Sequence, residues 1–128
     1  RLEDQMGQIR TIDDLADRGF VVEDGLEMCA GDEELYLEVL EEALAEGEEK
    51  IPLLRRLYEQ KDYEGYLVEV HGLKNAMRSI GANHLSEAAK IQEFAVKEQT
   101  YEKIDENVEA LLLEYQDVVD TLKELFRS

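Results

Sequence analysis

The 128-residue chain has no tryptophan, one proline and one cysteine. The lone cysteine, Cys29, cannot form an internal disulfide, which suits a reducing cytoplasm. With a single proline, almost nothing along the chain forbids a continuous helix. No apolar run approaches the roughly 20 residues of a membrane span, and no signal peptide is visible. Positive charge is also scarce. Fourteen Lys and Arg stand against 32 Asp and Glu, a formal net charge of -18. A phosphate backbone would be repelled, so nucleic-acid binding is not expected, and an anionic membrane surface is disfavoured for the same reason. The chain opens on Arg1 rather than Met, as a piece of a longer protein would.

What is present favours helices: Glu, Leu, Ala and Lys are abundant. Residues 1–23 are the least regular part. Leu2, Met6, Ile9, Ile12 and Leu15 have rough helical spacing in a polar setting, which reads as a capping helix or a linker. Asp24 to Ala30 reads as a short helix stopped by Gly31. Cys29 within it fits a small core residue, because no base lies nearby to activate it.

Asp32 is a good N-cap, with Glu33 and Glu34 in the first turn. Tyr36, Leu40, Ala43, Gly47, Ile51, Leu54 and Tyr58 follow at steps of three and four. The spacing predicts one long helix over 33–60, kinked at Pro52, with two helices broken near Gly47 as the rival. Asp62 caps the next, over 63–80, whose apolar stripe is Tyr63, Tyr66, Val70, Leu73, Met77 and Ile80. Gly81 supplies the left-handed residue that ends it. Asn83 is the expected cap of a helix over 84–98, with Leu85, Ala88, Ala89, Gln92, Ala95 and Val96 inward. A last helix over 101–126 carries Ile104, Val108, Leu111, Tyr115, Val118, Leu122 and Leu125. No segment alternates at period two for long enough to be a strand. The expected fold is all-α: an antiparallel four-helix bundle over 24–128 with one or two short N-terminal helices. An elongated helical hairpin or coiled-coil spacer is the alternative.

The helix over 63–80 carries the chemistry. At about 100° per residue, His71 falls about 130° from the centre of the core stripe, on an exposed flank. Within about 60° of it lie Glu64, Leu67, Val68, Lys74, Asn75 and Arg78. Lys74 and Arg78 share its face one and two turns on, two cations together in a very acidic chain. Val68 should be exposed and Leu67 flanking. Apolar residues one turn before an exposed histidine suit a docking surface, although single exposed apolar residues are also ordinary.

A metal site would need further ligands. The other histidine, His84, lies beyond Gly81, and the cations beside His71 oppose a metal ion. Nothing pairs Cys29 with His71 as a nucleophilic dyad. The acids are spread along every helix without a loop of alternating ligands, so a solvated surface explains them better than a cation site. An exposed imidazole can, however, attack a reactive phosphoryl group offered by a partner. Lys74 would neutralise the phosphoryl oxygens, and Arg78 would add to the field.

The stretch His71-Gly72-Leu73-Lys74-Asn75, then Ile80-Gly81-Ala82, Leu85 and Gln92-Glu93, resembles the histidine-containing phosphotransfer (HPt) domains of multistep two-component relays. Gly31-Asp32-Glu33-Glu34-Leu35-Tyr36 and the long helix after it fit the same pattern, so the resemblance covers about 20–126. It implies that His71 accepts a phosphoryl group from one receiver-domain aspartate and passes it to another. Lys74 would stabilise the phosphoryl group, with Asn75 and Arg78 in support. Glu64, Leu67 and Val68 would dock the partner, and Gly81 would serve as a structural turn. The partners implied are receiver domains of response regulators or hybrid kinases, which carry their own divalent metal ion. The chain itself is expected to need no cofactor or metal and to act as a monomer. Asn75 departs from the pattern, standing where the family usually has glycine. No phosphate-binding glycine loop or kinase motif is present, so ATP-dependent kinase activity is not expected. The competing function is a helical interaction adaptor that keeps the fold without relay activity.

Overall fold

The computed structural model describes residues 7–127. Among them are a 3-10 helix, Ile12–Arg18, and five α-helices: α1 (Val22–Met28), α2 (Glu33–Glu59), α3 (Tyr63–Ser79), α4 (Asn83–Lys97) and α5 (Tyr101–Arg127). No strand occurs among the described residues. Helices α2 to α5 form the antiparallel bundle. Each packs on the next in the chain, and α2 closes the ring against α5. The connections at 60–62, 80–82 and 98–100 are short, which forces successive helices to run antiparallel.

Local sequence sets most of the helix ends. Asp32 accepts a hydrogen bond from the Leu35 amide and Asp62 from the Gly65 amide, each satisfying a donor that the first turn leaves open. Helix α2 runs unbroken through Gly47 and Pro52, so the reading of one long helix holds over that of two. Gly47 stays because α5 passes close: a Cβ there would lie 2.4 Å from Val119.

Two expected ends are corrected. The helix expected over 24–30 is Val22–Met28, starting two residues earlier. The Val21 amide is held by the Gly81 carbonyl at 2.9 Å, and its own carbonyl accepts from the Gly25 amide, so the first turn is nucleated from outside the segment. Asn83 is not the cap of α4. It is the helix's first residue, behind Ala82, and its side chain donates instead to Asp24.

The stripe read along α3 faces the core: Tyr66, Val70, Leu73, Met77 and Ile80 are buried, with Tyr63 half-buried. Ile9, Ile12, Leu15 and Phe20 are buried too, so the polar N-terminal region lays an apolar row on the bundle; Leu2 and Met6 lie outside the described residues. Cys29 is buried.

One junction fixes the end of α3. The buried Tyr36 hydroxyl donates to the Ile80 carbonyl at 2.7 Å. The Tyr36 ring rests on Gly25, where a Cβ would come within 2.5 Å of it. Gly81 follows in the left-handed region at φ 82°, and a Cβ there would stand 2.2 Å from the Val21 carbonyl oxygen. Both the backbone angle and the close approach require glycine at this position.

Candidate functional site: an exposed histidine over a buried carboxylate

His71 lies mid-way along α3 with its side chain 54% exposed. Beneath it α4 delivers Glu93. Ala89 is fully buried, and the Ser86 hydroxyl donates to the Lys74 carbonyl at 2.8 Å, so small residues let the two helices approach closely. Glu93 continues that row one turn beyond Ala89. Its side chain is only 2% exposed. One carboxylate oxygen, Oε2, meets His71 Nδ1. The other, Oε1, accepts from Lys74 Nζ at 2.7 Å, and Lys97 Nζ stands 3.6 Å from Oε2. Burial pushes the Glu93 carboxyl up. The hydrogen bonds from Lys74 and His71 and the charges of Lys74 and Lys97 outweigh it and hold the carboxyl down at about 2.

An ionised carboxylate only accepts, so the contact with Glu93 places a ring proton on Nδ1 of His71. The Nδ2 of Asn75, a donor, lies 3.4 Å from Nε2. In the neutral ring, the Nδ1–H tautomer satisfies both contacts. The ring is therefore held from below at Nδ1, with Nε2 on the side of Asn75.

The other residues singled out from the sequence distribute around this centre. Glu64 is exposed, Leu67 half-buried, and Val68 is 64% exposed, forming an apolar step one turn before the ring. Arg78 is exposed and lines a shallow groove with Lys74, Asn75, Met28 and Lys90. Gly81 is buried in the turn, away from the ring. The Lys74 ammonium is bound to Glu93 instead of standing free for an incoming group. His84 also pairs its Nδ1 with a carboxylate, that of Glu114, in a groove lined by Arg18, Asp117, Asp120 and Glu124.

Residues 38–124 match the Hpt domain family. The chain belongs to that family. Histidine phosphotransfer in phosphorelays, through contact with receiver domains, is the family's work. No curated protein and no solved structure matches the chain. No helix among the described residues of this Hpt domain is long and apolar enough to cross a membrane.

Sequence reasoning missed what Glu93 does. The Gln92-Glu93 pair belongs to the resemblance, and Gln92 is buried, accepting a hydrogen bond from the Tyr66 hydroxyl as an inward residue should. Glu93 also falls in register with Ser86, Ala89 and Val96, all buried. An acid in a buried row, opposite a helix bearing histidine and lysine, was the available signal. Lys97, one turn further on, went unnoticed with it.

Proposed function

We propose that this domain is a phosphocarrier whose acceptor atom is Nε2 of His71. The observation that carries the reading is the clamp on the ring: a buried carboxylate at Nδ1, with Nε2 outward on an exposed helix face. A receiver's phosphoaspartate approaches with phosphorus in line with Nε2. The lone pair attacks, the P–O bond of the acyl phosphate breaks, and the aspartate leaves as a carboxylate. No proton has to move, because Nδ1 keeps its own. The ring becomes cationic, and Glu93 offsets that charge from beneath. Lys74 and Asn75 meet the phosphoryl oxygens, and Arg78 adds a longer-range field. A receiver would bring its own divalent metal ion, which would offset charge on the phosphoryl group from its side. Val68 and Leu67 give the receiver an apolar seat beside the histidine, with Glu64 at its edge. The reverse reaction, to a second receiver aspartate, uses the same geometry. The domain acts in the cytoplasm as a monomer.

The test is His71→Gln, challenged with a phosphorylated receiver. The variant takes up no acid-labile phosphate. It unfolds within about 1 kcal/mol of the wild type, because the site is exposed and Glu93 retains both lysines. Label retained in the variant moves the acceptor to His84. A wild-type chain that binds receivers without taking label would make this an adaptor.

A further inference from the structure

Lys74 cannot serve Glu93 and a phosphoryl group equally well. Its ammonium lies on Oε1 of the carboxylate that holds Nδ1, whereas phosphoryl oxygens arrive at Nε2, across the ring. To reach them it must leave Glu93. The side chain of Glu93 is 2% exposed, and stripping a cation from a buried carboxylate is costly unless another takes its place.

A replacement is already in position. Lys97 stands one turn after Glu93 on α4, in the favourable Glu-to-Lys order at i,i+4. Its Nζ is 3.6 Å from Oε2, short of a hydrogen bond, and its side chain is 53% exposed, so it is free to close. A small shift brings it to the ~2.8 Å of a charge-assisted bond.

Building on the assignment of His71 as phosphoacceptor, we infer that Lys97 is a positioning residue: the reserve counterion of Glu93, which lets Lys74 leave the carboxylate for the phosphoryl group. Glu93 thereby stays ionised under the ring throughout, and the cation that moves is replaced by one that was waiting. Lys97 touches neither the ring nor the phosphoryl group.

Phosphoramidate tests this without a receiver. Its P–N bond breaks, the nitrogen of the N-protonated reagent leaves as ammonia, and phosphorus bonds to Nε2 while the ring keeps its Nδ1 proton. Rates of phosphohistidine formation, followed by phosphorus NMR at low ionic strength, are compared for wild type, Lys97→Ala, Lys97→Arg, Lys74→Ala and the Lys74→Ala/Lys97→Ala double variant. Lys97→Ala slows the reaction roughly two- to fivefold, the range of one partly exposed charge contact. Lys97→Arg restores most of the rate. In the Lys74→Ala background the loss of Lys97 slows the reaction less than it does in the wild type, because no cation remains to be released. In melting experiments the double variant loses more than the sum of the two single losses, since Glu93 is then without either lysine.

A wild-type rate for Lys97→Ala overturns the inference and leaves the phosphoacceptor standing. The same slowing with and without Lys74 also overturns it, because Lys97 would then act on the phosphoryl group directly. A wild-type chain that takes no phosphate on His71 overturns the acceptor assignment and this inference with it.

Discussion

His71 and Glu93 divide one task between a half-exposed ring and an almost sealed carboxylate. The first is 54% exposed and the second 2%, yet Nδ1 of one meets Oε2 of the other. The exposed member supplies the reacting nitrogen. The sealed member fixes which nitrogen that is and stays out of the partner's way. Because the carboxylate arrives on a different helix from the ring, the packing of α3 on α4 is itself part of the site.

Glu93→Gln tests that division. Glutamine keeps the shape and can still accept the Nδ1 proton, but it removes the negative charge beneath a ring that becomes cationic. One end of the amide must also face a lysine with a donor. Phosphotransfer from a phosphorylated receiver should fall about ten- to a hundredfold, the equivalent of one charge-assisted bond lost in the transition state. Nitrogen NMR of the His71 ring supplies an independent check. The wild type shows the proton on Nδ1, and the variant shows a mixture of tautomers. An unmixed Nδ1–H ring and an unchanged rate in Glu93→Gln would remove Glu93 from the mechanism.

The same variant gives a pH test. The Glu93 carboxyl is depressed to about 2 in the folded chain, below the 4.5 of a free glutamate. A depressed carboxyl stabilises the fold fully above the unfolded value and loses that contribution as pH falls through the folded one. Wild type should therefore exceed Glu93→Gln in stability at pH 6, by at most about 3 kcal/mol from the size of the shift. Most of the gap should close by pH 2.5. Glu109 and Glu124 are also depressed, by Arg55 and Arg18, but both chains retain them, so they cancel in the comparison. Urea unfolding at the two pH values measures it.

The helices were legible because their signals are local. The stripe from Tyr63 to Ile80 set the register of α3, and that register put His71 on the flank where it is found. Asp32 and Asp62 cap as their positions suggested. The misreadings share one cause. Asn83 has the chemistry of a cap, but its amide is taken by Asp24, 59 residues earlier in the chain. Helix α1 starts early because Gly81, far along the chain, holds Val21. From the sequence, Glu93 stands only as part of the Gln92-Glu93 pair, with no role assigned, among 32 Asp and Glu. Its burial and its contacts with His71 and Lys74 exist only once α3 and α4 are side by side. Pairing between helices is not written in the period of either.

Gly81→Ala should be among the most damaging single substitutions in the chain. Alanine at φ 82° carries the left-handed penalty, and its Cβ would meet the Val21 carbonyl oxygen at 2.2 Å. That oxygen is part of backbone bonded on both sides, so it cannot swing away as a side chain would. A loss of about 3 kcal/mol or more is expected, combining the backbone term with a forced displacement of α1. Gly72→Ala is the control: it is helical, and its Cβ would meet nothing within 4 Å. That change should stabilise the helix by about 0.5–1 kcal/mol. Equal effects of the two substitutions in thermal melts would mean that the Val21–Gly81 contact does not hold the turn.

Lys74 and Arg78 differ in how they reach the histidine, and that difference sets their ranking in transfer. Lys74 is held 2.7 Å from the carboxylate under the ring, one turn from His71. It needs only to move across the imidazole to meet an incoming phosphoryl oxygen. Arg78 is two turns away and exposed, at the edge of the groove it shares with Lys74 and Lys90. Lys74→Ala should slow receiver-to-His71 transfer by about ten- to a hundredfold, corresponding to roughly 1.5–3 kcal/mol for one charge-assisted contact. Its partial exposure pulls the effect toward the lower end. Arg78→Ala acts through the field alone and should cost about two- to threefold, an effect that fades as salt screens it. The Lys74→Ala deficit should persist at high salt, because a direct contact is screened far less than a field across two turns. Rates for both variants, measured at low and high ionic strength, decide the matter. If Arg78→Ala is crippled at every salt concentration while Lys74→Ala matches wild type, the phosphoryl group is held by the arginine and the lysine serves only Glu93.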